Sequence, residues 1–342
     1  MNDHDDASVG LGNRTPPPTI YDIAKTVGVS PSTVSRALTK PGRLNAHTER
    51  RIREAAATLG YRTNPMARAL PTGRTGTFAV VLSDVTNPVY FDLVRAAEKV
   101  TSEEGLTLVI ADAQESSEVE IAAATRLAAS VDGIVLVASR LSDDAVAEVS
   151  RMKPVALVNR QVDEVPGIVP DPVPGVSQAL DHLGVLGHRS IGYLAGPAAS
   201  WMNRRRWDTL FDLAVERSMS IVEIGASAPT VDGGAESLRR VRASGVGAVF
   251  AYNDLMAMGL IRAAVAAGVS IPDDLSVVGF DDIFGADLIT PSLTTIRSPL
   301  AEAGDLAIRS VIAASKNIPS APTRSLQTAL VVRQSTGPVP VR

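Results

Sequence analysis

The chain has 342 residues, 45% of them hydrophobic, with a mean hydropathy of +0.13 and a formal charge of −4 at pH 7, enough apolar content for a sizeable core in two or three globular units. It contains no cysteine, which excludes a disulfide scaffold, thiolate metal sites and a cysteine nucleophile. No apolar run reaches membrane-spanning length, and MNDHDDASVGLGNRTPPP carries acids where a signal peptide would carry a basic region, so a soluble cytoplasmic protein is expected.

The total charge hides an asymmetry. Thr19 to Gly76 holds ten Lys or Arg against three acids, a local +7, whereas the first eighteen residues carry −2 and the chain from Thr77 onward −9. A basic segment on an acidic body suits phosphate neutralisation by one domain while the body repels the backbone. Residues 1 to 18 lack periodicity and end in three prolines, and read as a disordered arm.

Two short helical patterns then fold about one glycine in TIYDIAKTVGVSPSTVSRAL, Thr19 to Leu38. Thr19 with Asp22 has capping-box spacing, and Ile20, Ile23, Ala24 and Val27 share a face. Gly28 can take the positive φ that ends a helix, and Ser30 with Pro31 supplies an N-cap and a first-turn proline. The second helix buries Val34, Ala37 and Leu38 and turns Ser32, Thr33, Ser35 and Arg36 outward, a hydrogen-bonding face without an opposing carboxylate that suits a DNA groove. After a KPGR turn, Asn45 caps a third helix with Ile52, Ala55, Ala56 and Leu59 inward, ended by Gly60. The expected core is Ile23, Val27, Val34, Leu38, Ile52, Ala56 and Leu59.

In NPMARALPTGRTG, Asn64 and Pro65 repeat the cap-then-proline start, while Pro71 stops growth after about two turns, too few for a free helix. The segment folds either on a twofold mate and in a minor groove, with Leu70 as an apolar wedge, or serves as a plain linker. From Thr77 the pattern becomes strand-like: FAVVLS, LTLVIA, GIVLVA and PVALVN, then IGYLAG, SIVEI, AVFAYN and SVVGF, with helical segments between them. Apolar strands flanked by helices indicate parallel sheets covered on both faces, here as two doubly wound subdomains with a cleft at their strand ends.

The strand ends are polar: Asp84 and Asn87, Asn159 and Arg160, Asn253 and Asp254, Asp281 and Asp282. They suit a hydroxyl-rich ligand, and each also fits a helix cap. In SWMNRRRW, Ser200 to Trp207, a sugar ring could lie against Trp201 with Arg206 on its hydroxyls; the other reading is a solvated face with Trp207 in the core, preferred for Arg205. GxGxxG after a strand, the P-loop, GxSxG and HExxH are all missing, so neither catalytic residues nor a cofactor are expected. His4, His47, His182 and His188 lack metal-ligand spacing, and His182 and His188 read as surface groups on or after a helix.

TIYDIAKTVGVSPSTVSRAL, GYRTNPMARAL, GHRSIGYLAGP, FAYNDLMAMGL and SVVGFDD occur in an order that resembles the LacI/GalR transcriptional regulators over about Thr19 to Arg333. The resemblance implies a small all-α helix-turn-helix headpiece (19–63), a hinge helix and linker (64–76), and an α/β periplasmic-binding-protein-like core of two doubly wound subdomains (77–342) that dimerises and binds a small effector. It implies a repressor that binds a pseudo-palindromic double-stranded DNA operator and answers to a sugar or related polyhydroxyl metabolite. Carried over by position, Pro31, Ser32 and Arg36 face bases, and Ile20, Tyr21, Ser35, Asn45 and Thr48 lie at or near the DNA backbone. Ala67 and Leu70 enter the minor groove, and Asp84, Trp201, Arg206, Asn253 and Asp281 hold the effector. Three departures stand out: Pro71 replaces a usual basic residue, Pro172 in DPVPG replaces a usual asparagine beside the pocket, and the tail VVRQSTGPVPVR has no leucine heptads, so a dimer is expected.

Overall fold

The computed structural model describes residues 18–39, 42–61, 74–319 and 323–339. The expectations for an arm at 1–18, Pro18 excepted, and for Ala67, Leu70 and Pro71 of the hinge fall outside these residues. The chain divides between Gly73 and Arg74 into two compact units.

The first unit contains α1 (Ile20–Val27), α2 (Pro31–Thr39) and α3 (Ala46–Thr58). Asp22 accepts from the Thr19 N–H and hydroxyl, each at 2.7 Å. Gly28, at φ 74°, ends α1, and its N–H and that of Val29 both return to the Ala24 carbonyl. The Ser30 hydroxyl accepts from the Thr33 N–H at 3.2 Å, so Pro31 opens α2 without leaving a donor unmet. Ile23, Ala24, Val27, Val34, Ala37, Ile52 and Ala56 form the core, with Leu38 packed at its edge. Leu59, expected inside, is 36% exposed. It sits at the C-terminal cap of α3, and Gly60 at φ 66° reverses the chain so that Tyr61 packs on the core instead, its N–H on the Ala56 carbonyl at 2.9 Å.

The second unit holds two six-stranded sheets. Lobe 1 uses β1 (Thr77–Leu82), β2 (Thr107–Asp112), β3 (Gly133–Val137), β4 (Val155–Val158), β5 (Gly167–Asp171) and, from the far end of the chain, β11 (Arg324–Gln327), all parallel in the order β11-β5-β4-β3-β1-β2. Along β1 the apolar residues alternate between two cores. Phe78, Val80 and Leu82 meet α4 (Phe91–Glu103) and α12 (Leu300–Ser315), while Ala79 and Val81 meet α5 (Ser117–Ala128) and α6 (Asp143–Met152).

Lobe 2 uses β6 (Ser190–Leu194), β7 (Ser220–Ile224), β8 (Ala248–Ala251), β9 (Ser276–Asp281), β10 (Thr294–Arg297) and β12 (Ala329–Val331), ordered β12-β10-β9-β8-β6-β7 with β12 antiparallel to β10. Its helices include α7 (Pro172–Val185), α8 (Trp201–Glu216), α9 (Val231–Glu236), α10 (Leu238–Ser244) and α11 (Asp254–Ala266).

The eight strands read from the sequence are all present, and β5, β10, β11 and β12 join them. The two doubly wound lobes form as expected, but neither is a single continuous stretch of chain. The chain passes between lobes three times, after β5, β10 and β11, so α12 and β11 complete lobe 1 although they follow nearly all of lobe 2. The first and third crossings meet at one hydroxyl: Thr328 donates to the Asp171 carbonyl at 2.7 Å and accepts from the Gly175 N–H at 3.1 Å. A Cβ on Gly175 would stand 2.3 Å from Ile296 Cγ2, so glycine alone lets α7 start this close to β10. Pro172 is the first residue of α7, behind the Asp171 cap.

His188 is 2% exposed, against the expectation of a surface group. Its Nε2 donates to the Gly337 carbonyl at 3.0 Å, a partner 149 residues away that no local pattern reveals. His182 is half-buried, its Nε2 at 2.9 Å from Thr336 Oγ1. Burial lowers the pKa of both below the ordinary 6.5. The folded state therefore keeps them neutral while the unfolded chain takes up protons, so their contribution is complete above about pH 6.5 and is lost as pH falls below it. The melting temperature of the second unit should drop between pH 7 and pH 5, and His188→Gln should flatten that slope in calorimetric scans.

Candidate functional site

On the first unit, α2 buries Val34 and Ala37 and exposes Ser32 and Arg36, with Pro31 and Ser35 half-buried between. Ser32 Oγ lies 2.9 Å from Ser30 Oγ, which ties the start of the helix to its exposed face. Tyr21 is 68% exposed, Ile20 packs on the edge of the core, and Thr48 is half-buried. Asn45 accepts from the His47 N–H at 2.9 Å and so caps α3. Arg51 donates to the Val27 carbonyl at 3.0 Å, and Arg53 pairs with Glu49 at 2.8 Å, whereas Arg36 meets no acid among the described residues. Of the predicted DNA-facing residues, the structure thus groups Ser32 and Arg36 on one solvent face; Ala67 and Leu70 lie outside the described residues.

In the second unit, the strand ends of the two lobes enclose a cavity of about 20 Å³, room for about one water. Asn87, Tyr90, Glu115, Arg140 and Asn159 line it from lobe 1, and Met202, Arg206, Tyr252, Asn253 and Asp281 from lobe 2. A groove of about 510 Å³ along β2 and α5 is larger; seven of its ten lining residues are apolar, with Asp112, Glu118 and Arg126 beside them, and all ten come from lobe 1.

Arg206 is the centre of the lobe 2 wall. Its side chain is 5% exposed; one Nη donates to the Tyr252 carbonyl, the other to Asp281 Oδ1 at 2.7 Å, and its face lies 3.7 Å from the centre of the Phe280 ring. Burial is the largest influence and opposes the charge, but Asp281, Tyr252 and Tyr193 together outweigh it and hold the guanidinium pKa above its usual value. Asp281 itself adopts φ 112° and also accepts from Ser298 Oγ at 3.3 Å. Asn253 caps α11 through the Met256 N–H at 2.9 Å and donates to the Pro229 carbonyl at 3.0 Å, so here one residue both caps a helix and lines the cavity.

Neighbouring strand-end groups are structural. Asp254 is fully buried and takes the Thr295 hydroxyl at 2.6 Å and the Ile283 N–H at 2.9 Å; burial, then Asp281, pushes its carboxyl up to about 8. Asp282 is held by Arg297 at 2.7 Å and Arg333 at 2.6 Å, and Arg160 by Asp143 at 2.5 Å. Asp84 and Trp201 do not line the cavity. Asp84 folds back on the Thr86 N–H at 2.9 Å and hydroxyl at 2.6 Å, while Trp201 is the half-buried first residue of α8. Trp207 stacks between Tyr193 and Phe211, 5.8 Å from each, and Arg205 is exposed.

Sequence reasoning missed Glu115, Arg140, Tyr90 and Tyr252. For Glu115 and Arg140 a signal was present, since each follows the end of an apolar strand, as Asn159 and Asp281 do. Arg140 is 8% exposed, its Nε donates to Glu115 Oε2 at 2.8 Å, its Nη1 to the Ala138 carbonyl at 2.7 Å, and its backbone N–H to the buried Glu120 at 2.8 Å. Among the described residues no helix is long and apolar enough to cross a membrane, and no group of three or more His, Asp or Glu could hold a metal ion.

A helix-turn-helix unit and a two-sheet α/β core with a polar cleft define a regulator of the type that couples DNA reading to a small molecule. Residues 19–64 match bacterial regulatory proteins of the lacI family, and residues 180–336 match a periplasmic binding protein-like domain. The chain is 30% identical to the HTH-type transcriptional regulator DegA of Bacillus subtilis (strain 168), over 94% of this chain and 98% of DegA. The crystal structure of the lac repressor dimer bound to operator and the anti-inducer ONPF superposes with a TM-score of 0.85 at 25% identity, covering 94% of this chain and 99% of that one. A lacI family transcriptional regulator from Enterococcus faecium with bound ribose gives a TM-score of 0.69 at 25% identity, over 77% and 99% of the two chains. The chain belongs to the lacI family and is a transcriptional regulator.

Removing one member of a buried ion pair leaves the other charge uncompensated, a loss of roughly 3–5 kcal/mol. Asp281→Ala should therefore destabilise the second unit by about that much in urea unfolding, whereas the double variant Arg206→Met with Asp281→Leu should lose much less than the two single variants summed.

Proposed function

We propose that this regulator is a cytoplasmic homodimeric repressor that reads a pseudo-palindromic operator through α2 and is controlled by a sugar-like effector held between the lobes of its core. Residues 19–63 read the DNA, 64–76 join and position the readers with Ala67 and Leu70 at the central minor groove, and 77–342 dimerise and bind the effector. Its role is binding and not turnover. The observation that carries the reading is the exposed Ser32–Arg36 face of α2 within a segment of charge +7. Arg36 supplies the bidentate donors that suit a guanine edge, Ser32 an adaptable hydrogen bond, and Pro31 apolar contact. Ile20, Tyr21, Ser35, Asn45 and Thr48 position the unit on the phosphates. A dimer presents two such helices one turn of DNA apart, which sets the spacing of the half-sites.

The lac repressor dimer in its operator complex and the ribose-bound E. faecium regulator support the DNA and effector halves of this reading. In the core, Arg206, Asn253 and Asp281 offer donors and acceptors to ligand hydroxyls, and Asp84 and Trp201, which do not line the cavity in this arrangement, join the effector site when the lobes part. A cavity of about 20 Å³ is far too small for a sugar, so the ligand selects an arrangement with the lobes further apart. Effector and operator then shift each other's affinity by the same factor.

Selection of bound sequences from random duplex DNA should enrich a twofold-related site; no enrichment, with or without sugars, would sink the proposal. On the selected duplex, Arg36→Ala should cost ~1–3 kcal/mol of binding, read by fluorescence anisotropy, with unfolding of the core unchanged.

A further inference from the structure

The wall of the cleft built by lobe 1 carries a second carboxylate–guanidinium pair that mirrors the one on lobe 2. On lobe 2, both contacts to Asp281 fall on Oδ1, from Arg206 at 2.7 Å and Ser298 at 3.3 Å, which leaves Oδ2 without a partner among the described residues. On lobe 1, Arg140 reaches Glu115 through Nε at 2.8 Å and through Nη2 at 2.6 Å, both on Oε2, which leaves Oε1 in the same position. Asn159 adds a third acceptor, since its buried Oδ1 has no partner among the described residues, and Arg206 Nε is one buried donor without a partner.

Two of the open acceptors, Glu115 Oε1 and Asp281 Oδ2, are carboxylate oxygens, and the formal charges of the walls cancel: Glu115 against Arg140, Asp281 against Arg206. Hydroxyl groups supply donors to such acceptors. A carboxylate or phosphate is an acceptor only; it would meet two carboxylate oxygens and no cation free of its own acid, at a desolvation cost that nothing on the walls offsets.

We propose that Glu115, held by Arg140, is a ligand-selecting residue of the cleft that restricts the effector to uncharged polyhydroxyl compounds and excludes their carboxylated and phosphorylated forms. This rests on the reading of the cleft as the effector site and assigns to lobe 1 a share of the selection for which Arg206, Asn253 and Asp281 account on lobe 2 alone. Glu115 accepts a ligand hydroxyl at Oε1, while Arg140 neutralises the carboxylate and, bonded through three nitrogens, keeps it from turning away. Replacing Glu115 by glutamine keeps the shape of the wall but leaves Arg140 as an uncompensated cation, so the preference should move toward anions.

The test is isothermal titration of the full-length protein with D-ribose, D-xylose, D-glucose and D-galactose, and with ribose 5-phosphate, glucuronate and galacturonate. The expected result is that at least one neutral sugar binds and its acidic counterpart binds at least tenfold more weakly. Glu115→Gln, with its melting temperature checked, should weaken the neutral sugar at least tenfold and narrow or reverse the gap to the acidic counterpart; Glu115→Asp should retain the neutral preference. A lost fold cannot produce such an exchange of preference. An acidic sugar that binds the parent protein more tightly than its neutral form would overturn the proposal. So would a Glu115→Gln protein whose neutral-sugar affinity stays within twofold while Arg206→Met abolishes binding, a result that leaves the effector site itself intact. If no neutral sugar binds the parent protein and none changes operator affinity, both readings fall.

Discussion

A guanidinium nearly sealed from water determines how the core is built. Arg206 projects from α8 into lobe 2, stacks on Phe280 and is neutralised by Asp281. An uncompensated charge there would cost several kcal/mol, so the end of β9 must deliver a carboxylate to one point. It does so through two successive residues with positive φ, Asp281 at 112° and Asp282 at 58°. The second is clamped by Arg297 and Arg333. The backbone departs from its easy conformations where two lobes of parallel strands offer the only place for polar chemistry, their carboxyl ends.

That division of labour explains what the amino acids reveal on their own. Runs such as FAVVLS and GIVLVA are unambiguous because strands buried on both faces carry apolar side chains at every position. GIVPD, TTIR, RSLQ and ALV are different: the first three are broken by a proline or polar residues and the last has only three residues, so their strand character comes from partners and not from local pattern. The headpiece was legible almost residue by residue because caps, the glycine turn and the apolar face are all local. Leu59 failed because one positive-φ glycine exchanged it for Tyr61, and His188 failed because its partner is the returning C-terminal segment.

The ligand-facing residues divide along the same line. Arg206, Asn253 and Asp281 stand in motifs that a family pattern makes visible, and the structure brings all three to one cavity. Glu115 and Arg140 carry no such motif. Gln114 and Glu115 both take positive φ immediately after β2, and that turn aims Glu115 across the strand ends toward Arg140. A rule about strand ends points to the neighbourhood, while the pairing is a property of the folded sheet. Asp254 shows the converse: it sits beside Asn253 in the sequence yet is spent on holding β10 and the loop after β9.

The threefold passage between lobes has a consequence for how the molecule is made. Helix α12 contributes Leu300, Ala303, Ala307, Ile308, Val311 and Ile312 to the lobe 1 core, beside Phe78, Leu93 and Val100, which are translated some two hundred residues earlier. On the ribosome, the first five strands of lobe 1 must wait with an incompletely covered apolar face while almost the whole of lobe 2 is synthesised. The nascent chain thus carries an unfinished domain for most of its synthesis, a state in which folding is slow and apolar surface is open to aggregation or chaperones. Truncation of the last forty residues would consequently damage the beginning of the core as much as its end.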